Sequence, residues 1–365
     1  MLPALRSGGV EQGTVEVAGA LVRAGHRALV MSAGGPMVRA VEQAGGEHTA
    51  WPVADKSPFA LRLVPRLRRF LARECVDIVH PRSRLPAWIA WLAWRSMPAA
   101  QRPRLITTVH GFYRVGHYSG VMMRGERVIC VSAAIRDHVR TNYPQVPEQR
   151  LVVIPRGIDH ARYPHGYVPP SAWLRRWQAA MPQLAQQRVL LLPARVTRLK
   201  GHADFIALLA RLLEQGMDVH GLVAGDEDPR HAGYARELRT RVRALALEER
   251  VSFLGHRSDL RDIMAVSDLV LSLSATPESF GRSVLEALSL GRPTVGYAHG
   301  GVAELLDTLY PQGAVAPGDA GQLAQCARSA LLDPSPVREV RAFKLSDMLA
   351  STLAQYQALA GTRTR

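Results

Sequence analysis

Short apolar runs alternate along the chain with longer segments in which apolar residues recur at helical spacing. The runs predict buried strands at residues 27–33, 76–80, 105–110, 127–132 and 151–155, and again at 189–193, 219–224, 251–254, 269–273 and 294–297. Short buried strands that are separated by amphipathic helices are typical of parallel βαβ units. Because the pattern occurs twice, we expect an α/β protein of two doubly wound, Rossmann-like domains that face each other across a cleft.

Chain length and a proline-rich segment predict where the two domains meet. At about 150 residues per domain, a chain of 365 residues predicts two domains. Prolines and polar residues concentrate at 163–187, as is typical of a segment between domains. We therefore predict a first domain at 1–165, a linker at 166–187 with a short helix near 173–180, and a second domain at 188–344.

The start of the chain departs from this pattern. The first predicted helix follows Gly8 and Gly9 closely, whereas a doubly wound domain normally opens with a buried central strand that leads into such a glycine turn. Either the fold lacks most of that strand, or translation begins a few residues further upstream. We favour the second explanation, because the loss of a central strand would leave two neighbouring strands unpaired.

Charge is distributed unevenly between the two predicted halves. The formal net charge is +15, of which residues 1–185 carry +14 and residues 186–365 carry +1. An excess of this size suggests an anionic partner, such as nucleic acid, a phosphorylated substrate or an anionic membrane surface. Hydrophobic residues make up 47% and charged residues 21%, a composition that excludes disordered and collagen-like proteins.

Cysteine usage and hydropathy predict a cytoplasmic location. The three cysteines, Cys75, Cys130 and Cys326, are far apart and form neither a disulfide framework nor a zinc motif. The most apolar stretch, 85–94, ends at Arg95 and has about half the length that a bilayer requires. The first residues also lack the pattern of a signal peptide.

The most informative motif is PESFGRSVLE at 277–286. Glu278 precedes a predicted helix that begins near Arg282, and Glu286 lies about one and a half turns inside that helix. A predicted strand leads into the turn, and a helix N-terminus at the end of a strand offers free N–H groups to an anion. A pair of solvated surface glutamates is the alternative, but this strand–turn–helix context favours a binding site.

Other motifs follow predicted strands in the same way. PARVTRLKG places Arg195 and Lys200 on one loop, where two cations can grip a diphosphate, although a solvated basic loop would look similar. HGGVAE supplies Gly300 and Gly301, which let the backbone approach a phosphate or a sugar. VHG places His110 at the end of a strand, although a single histidine is more often structural.

Three further features have ordinary structural explanations. The acidic run 226–228 follows a strand, where aspartates usually make local turns, so we do not expect a metal there. Trp88, Trp91 and Trp94 are spaced for packing more than for a membrane belt. The helix predicted within 59–73 carries five arginines around a leucine stripe, and it either covers the sheet alone or also contacts an anionic membrane.

Taken together, these motifs resemble one family. PARVTRLKG, AGDED, FLGHRSDL, PESFGRSVLEALSLGRPTV and HGGVAELL, in this order and spacing, resemble the C-terminal domain of the retaining nucleotide-sugar glycosyltransferases of family 4. VDIVHPRSR, TTVHGFY, VICVSAAIRDHV and VVIPRGID resemble the N-terminal domain of that family. The resemblance implies a GT-B fold, a donor bound mainly by the second domain, an acceptor-side first domain, and a terminal helix within 345–365 that crosses back onto the first domain.

The same resemblance implies roles for individual residues. Arg195 and Lys200 would contact the donor diphosphate, Glu278 the hydroxyls of the donor sugar and Glu286 the ribose, while His110 would lie near the reacting sugar. The catalytic candidates are His110, Arg195, Lys200 and Glu278, and the other donor-binding candidates are Gly9, Phe280, Gly281, Arg282, Glu286, Gly300 and Gly301. No metal and no cofactor is implied, because the nucleotide-sugar is a substrate.

The basic first half supplies the candidates for acceptor binding. Arg82, Arg84 and Arg114 lie on loops after predicted strands and would suit a phosphorylated or carboxylated lipid-linked sugar, as in a lipopolysaccharide core. We expect a retaining, metal-independent hexosyltransferase of surface-glycan synthesis, which is either free in the cytoplasm or peripheral on the cytoplasmic face of the inner membrane. A related GT-B enzyme such as a nucleotide-sugar epimerase is the alternative. We expect no nucleic-acid partner, because no zinc finger, basic tail or RNA-binding signature is present.

Overall fold

A computed structural model describes residues 1–6, 8–55, 58–227 and 232–361. It divides the chain into two compact units. The first unit comprises Met1–Gly157 together with Leu345–Arg365, and the second comprises Ile158–Lys344. Both units are built from parallel strands and helices, so the α/β prediction is confirmed.

The first unit contains two parallel sheets among its described residues. Its strands are β1 Leu29–Ser32, β2 Glu47–Ala50, β3 Ile78–Val79, β4 Arg104–Val109, β5 Arg127–Cys130 and β6 Leu151–Val153. The helices before β6 are α1 Gly9–Arg23, α2 Val38–Gln43, α3 Leu63–Arg73, α4 Arg84–Arg95, α5 His117–Gly120 and α6 Ala133–Asn142. β1 pairs with β2, and the other four strands follow one another in the order β3-β4-β5-β6.

Residues 1–5 run between these two sheets. The N–H of Leu2 donates to the carbonyl of Met31 at 3.1 Å, on the β1 side. On the other side, the carbonyl of Met1 accepts a hydrogen bond from the N–H of Arg82 at 2.8 Å. A cavity of about 360 Å³ lies beside Met1 and is lined by residues of β1 and β3. Residues 1–5 thus occupy the place where the pattern predicts a central strand.

The second unit has a six-stranded parallel sheet in its described part. The strands are β7 Arg188–Leu192, β8 Val219–Ala224, β9 Val251–Gly255, β10 Leu269–Ser272, β11 Thr294–Tyr297 and β12 Ala314–Val315. The helices are α7 Ser171–Ala180, α8 His202–Glu214, α9 Ala232–Ala244, α10 Leu260–Ala265, α11 Arg282–Ser289, α12 Gly301–Leu309 and α13 Ala320–Leu332. The strand order β12-β11-β10-β7-β8-β9 is doubly wound and reverses direction between β7 and β10.

Burial explains why these strands appear in the sequence as continuous apolar runs. Every residue of β8 and of β10 is buried, because helices cover both faces of a parallel sheet. Phe205 and Leu209 of α8 pack in the core on one face. Val284 and Leu288 of α11 pack in a separate core on the other face. The sheet therefore lies between two layers of apolar side chains.

The segment predicted to be a linker belongs to the second unit. Trp173 of α7 is buried in one of the two cores of that unit and stacks on Trp177, with ring centroids 5.2 Å apart. Its indole N–H donates to a carboxylate oxygen of Asp259 at 2.8 Å. The prolines suggested a connecting segment, but the two tryptophans give α7 an apolar face that must be covered. The linker at 166–187 and the domain boundary at residue 165 therefore differ from the structure.

The last helix, α14 Leu345–Ala360, belongs to the first unit. Met348 and Tyr356 pack in one core with Val17 of α1 and Ile106 of β4. The hydroxyl of Tyr356 is 2.6 Å from Nδ1 of His80, at the end of β3. The placement of this helix with the first unit is the one that the family resemblance implies.

The basic helix α3 is amphipathic, as predicted. Leu63, Leu67 and Leu71 are buried, while its arginines are exposed. The three tryptophans of α4 are partly buried, and the guanidinium of Arg124 lies 4.0 Å from the ring of Trp91. In the part of the chain that the structure describes, no helix combines the length and the apolar character that a membrane span needs.

The role of α7 in the second unit can be tested by Trp173→Ala. Removal of a buried tryptophan should lower the free energy of unfolding by about 3–5 kcal/mol. Chemical denaturation followed by circular dichroism measures this change. Gln178→Ala, at an exposed position of the same helix, is the control and should leave stability within about 0.5 kcal/mol of the parent. Equal stability of the two variants would mean that α7 is a linker.

Candidate active site

The strand order of the second unit places a binding site at one point of its sheet. In open α/β sheets, ligands bind beyond the carboxyl ends of the strands, where the strand order reverses. Here that point lies between β7 and β10. The loop after β7 carries Arg195 and Lys200, and the loop after β10 carries Glu278. The topology therefore brings together residues that lie about 80 positions apart in the sequence.

A glycine lets these two loops approach each other closely. Gly201 has a φ of +72°, and a Cβ atom at this position would overlap the carbonyl oxygen of Leu273. Two residues before Gly201, the carbonyl of Leu199 accepts a hydrogen bond from the N–H of Ala275 at 2.8 Å. Backbone contact between the loops thus fixes the position of Lys200.

Lys200 and Glu278 form an ion pair. The Lys200 ammonium is 2.6 Å from Oε1 of Glu278, and the hydroxyl of Ser274 donates to the same oxygen. Burial raises the pKa of the Glu278 carboxyl, but the charge of Lys200 and the hydrogen bonds from Lys200 and Ser274 outweigh burial, so this pKa lies below its ordinary value. The carboxylate is therefore ionised, and the contacts with Lys200 and Ser274 both hold the same oxygen, Oε1.

The HGG turn supports Glu278 from its backbone side. The N–H of Gly301 donates to the carbonyl of Glu278 at 2.7 Å. A Cβ atom on Gly300 would overlap that same carbonyl oxygen, and one on Gly301 would overlap the backbone of Phe280. Nε2 of His299 is 2.8 Å from the carbonyl of Ser274. The two glycines therefore serve here to bring protein backbones together.

A second ion pair lies on α11. Gly281, with a φ of +90°, precedes the helix and packs against Val302. Nε of Arg282 donates to Oε1 of Glu286 at 3.0 Å, one helical turn away. Burial, followed by the charge of Glu286, raises the pKa of the Tyr163 hydroxyl to about 12. Glu286 is thus engaged by the neighbouring Arg282, as Glu278 is by Lys200.

Arg195 differs from these residues in being exposed. Its loop packs closely against Gly225. A Cβ atom at that position would overlap the carbonyl of Ala194. The N–H of Val196 donates to the carbonyl of Asp226 at 3.0 Å. The candidates of the second unit consequently lie on adjoining backbone segments, with Arg195 on the solvent side.

The acidic run that could suggest a metal site has ordinary partners. Asp226 lies 3.5 Å from Nδ1 of His256, and Glu227 pairs with Arg239. Asp228 lies outside the described residues. Within the described ranges, no group of three or more histidine, cysteine, aspartate or glutamate side chains is placed to hold a metal ion.

In the first unit, Arg82 and His110 lie close to each other and to Arg156. Arg82 is only 5% exposed, and its Nη1 donates to the carbonyl of Gly13 at 3.1 Å. His110 follows β4, and its Nδ1 is 2.5 Å from Nη2 of Arg156. Burial, then the charges of Arg156, Arg82 and His80, hold the pKa of His110 well below its ordinary value. His110 is therefore neutral at physiological pH.

The three acceptor candidates occupy different environments. Arg82 is enclosed, so it cannot offer an open contact to an acceptor. Arg84, at the start of α4, stacks over the rings of Tyr113 and Tyr118 at 4.8 and 5.4 Å. Arg114 is exposed on the loop after β4. Gly9 begins α1 with open space beside it.

The sequence did not single out four residues that hold the candidates in place. These are Ser274 and His299 around Glu278, Tyr163 beside Glu286, and Arg156 beside His110. Ser274 lies four residues before Glu278 on the same loop, a spacing from which a contact could have been proposed. The others come from distant parts of the chain, and only the fold brings them to their partners.

Comparisons with known proteins agree on one family. The sequence model described as "Glycosyltransferase Family 4" matches residues 7–162, and "Glycosyl transferases group 1" matches residues 176–344. The chain is similar to the N-acetyl-alpha-D-glucosaminyl L-malate synthase of Bacillus anthracis, with 26% identity over 71% of this chain and 67% of the relative. It is also similar to the lipopolysaccharide core biosynthesis mannosyltransferase LpcC of Rhizobium leguminosarum, with 29% identity over 46% and 50% of the two chains.

A solved structure extends the similarity to the whole chain. A crystal structure of a glycosyltransferase from Rickettsia africae superposes with a TM-score of 0.85 at 27% identity. The superposition covers 99% of this chain and 98% of that chain.

The close approach at Gly201 can be tested by Gly201→Ala. A left-handed alanine alone costs roughly 1–2 kcal/mol, and here its Cβ would also displace the backbone at Leu273. Gly201→Ala should therefore lower the free energy of unfolding by more than that amount. Gly216→Ala is the matched control, because Gly216 has a φ of +79° and open space around it. Equal losses in urea denaturation would show that the loops are not held by this contact.

Proposed function

The chain belongs to the GT-B glycosyltransferases of group 1, and from this premise we propose that it transfers a hexose-type sugar from a nucleotide-sugar with retention and without a metal ion. The acceptor is a glycan or a lipid-linked sugar. The observation that carries the proposal is the Lys200–Glu278 pair, held 2.6 Å apart beside the reversal of strand order in the second unit. This position is the one where a doubly wound sheet binds its ligand.

The described residues suit the departure of a nucleoside diphosphate. As the bond to the sugar breaks, negative charge develops on the leaving phosphate, and Lys200, Arg195 and the N-terminus of α11 offer positive charge and N–H groups nearby. Groups of this kind that are positioned in advance can each be worth about 3–4 kcal/mol in the transition state. This is the role that a metal ion has in other transferases, so the proposal needs none.

Glu278 and Glu286 bind the donor and do not act as an acid–base pair. In the proposed reaction the bond from the sugar C1 to the phosphate oxygen breaks, and a bond from C1 to the acceptor oxygen forms on the same face. The leaving phosphate takes the proton of the acceptor hydroxyl. One oxygen of Glu278 is occupied by Lys200 and Ser274, which leaves the other to accept a hydrogen bond from a sugar hydroxyl. Glu286 holds the ribose.

The acceptor is proposed to be anionic and to belong to surface-glycan synthesis. One relative is named for L-malate, a dicarboxylate, and another for lipopolysaccharide core biosynthesis. Arg84 and Arg114 present cationic groups on the first unit. The exposed arginines of α3 suit contact with the anionic cytoplasmic face of a membrane, which is where a lipid-linked acceptor would be found.

Nucleotide binding is the first test. Thermal-shift assays with UDP-, GDP-, ADP- and TDP-sugars should show stabilisation by one base, by about 2.7 kcal/mol at a hundredfold excess over Kd. Glu286→Gln should weaken the binding of that donor, and Lys200→Met should slow turnover about 100-fold because the positive charge that stabilises the leaving phosphate is lost. Glu248→Gln, an exposed position of the same unit, is the control. Stabilisation by none of the four donors would contradict the proposal.

Acceptor binding is a separate test. Arg84→Gln and Arg114→Gln should each raise the acceptor KM about tenfold for an anionic acceptor, the equivalent of about 1.4 kcal/mol. L-malate, a hexose 6-phosphate and a deacylated lipopolysaccharide core are the acceptors to compare with a neutral hexose. The donor KM should not change. Arg95→Gln, at the exposed end of α4, removes the same charge elsewhere, and an equal effect there would mean that only net charge matters.

A further inference from the structure

The contact between Arg156 and His110 determines where the proton of the imidazole lies. Nη2 of Arg156 is 2.5 Å from Nδ1 of His110. A guanidinium carries only N–H donors and does not lose its proton in proteins. Nδ1 must therefore be the acceptor of this hydrogen bond. Because the ring is neutral, its single proton lies on Nε2.

The resulting N–H has no partner in the protein. Nε2 of His110 is enclosed, and no described residue accepts its hydrogen bond. A buried donor without an acceptor is costly, and native proteins rarely keep one without a reason. His110 also lies at the carboxyl end of β4, which is the ligand-binding edge of a parallel sheet. These two facts together point to an oxygen atom of a ligand as the acceptor.

We propose that Arg156 is a positioning residue, which fixes His110 as the neutral Nε2–H tautomer and aims that N–H at an oxygen of the bound sugar. The identity of the ligand rests on the proposed glycosyl transfer. The tautomer does not, because it follows from the contact alone. His110 is then a hydrogen-bond donor throughout the reaction, and it cannot serve as a base, since its other ring nitrogen is occupied by Arg156.

The fold reserves space for the Arg156 guanidinium. A Cβ atom on Gly13 of α1 would lie 2.9 Å from Nη1 of Arg156. The same nitrogen is 3.9 Å from the sulfur of Met348 on α14. Nη2 of Arg82 would be 3.4 Å from the added Cβ, so two guanidinium groups meet at this one glycine. A side chain at position 13 would force the Arg156 guanidinium to shift, and His110 is not among the groups that the added Cβ would meet.

The tautomer can be observed directly by NMR of protein labelled with ¹⁵N at histidine, with His110 assigned by His110→Gln. In the unaltered protein, the spectrum should show a protonated Nε2 and an unprotonated Nδ1. Arg156→Met, which cannot donate, should give a mixture of tautomers, and Arg156→Lys should restore most of the original state. Gly13→Ala should give an intermediate result. Arg150→Met, an exposed arginine before β6, is the control and should change nothing.

The pH dependence adds a second readout. Arg156, Arg82 and His80 all disfavour the imidazolium, so removal of Arg156 should raise the pKa of His110. Its ring signals should titrate at lower pH in the unaltered protein than in Arg156→Met. The kcat of Arg156→Met should fall at least about tenfold with little change in donor KM, and Arg156→Lys should recover most of it.

Two results would overturn the inference. One is a protonated Nδ1 in the unaltered protein, and the other is an unchanged tautomer in Arg156→Met. Failure of the proposed function is distinguishable from these results. In that case no donor sugar would be transferred by any form of the protein, while the NMR spectra would still report the tautomer and its dependence on Arg156.

Discussion

The site of the second unit depends on backbone segments that approach each other more closely than any side chain would allow. Gly201 lies against the carbonyl of Leu273, and Gly300 lies against the carbonyl of Glu278. These contacts tie the loops after β7, β10 and β11 to one another. The Lys200–Glu278 pair is a consequence, because each partner sits beside one of these glycines. A charged pair built on fixed backbones needs little reorganisation when a ligand arrives, and this preorganisation is what makes such groups effective in catalysis.

Much of this arrangement could be predicted from the sequence because it is written in local patterns. Apolar runs predicted the strands, and residue types after each run predicted which loops would carry Lys200, Glu278 and Gly300. The pairings within the site could not be predicted in this way. Whether Lys200 contacts Glu278 or a ligand depends on a distance between loops 78 residues apart, which no local pattern encodes. The linker prediction failed for a related reason, since prolines are visible in a sequence and the partner of Trp173 is not.

The basic charge of the first half illustrates the same limit. Composition predicts a net excess, but the structure places its arginines in different environments. Those of α3 are exposed, others such as Arg124 stack on aromatic rings, and Arg82 is enclosed. Only the first two groups can meet a charged partner at the surface. A buried cation instead acts on its neighbours, and here Arg82 helps to keep the pKa of His110 low. The net charge of a domain therefore does not indicate how much of that charge a ligand can reach.

The two units place their charges according to different principles. In the second unit, Lys200 and Arg282 each have a carboxylate within ion-pair distance, so these two charges are compensated before a donor binds, whereas Arg195 is exposed. In the proposed function, the donor diphosphate would contact Lys200, and the second oxygen of Glu278 would accept a hydrogen bond from a sugar hydroxyl. In the first unit, a neutral imidazole lies beside Arg156 and Arg82, and burial lowers the pKa of Arg82 while the charges of Glu16 and Glu11 oppose that effect. The proposed binding at His110 would add a partner to Nε2 and would not exchange one. On these proposals, the second unit would receive its ligand at groups that already have partners, whereas the first would receive an oxygen that accepts a hydrogen bond from the free N–H of His110.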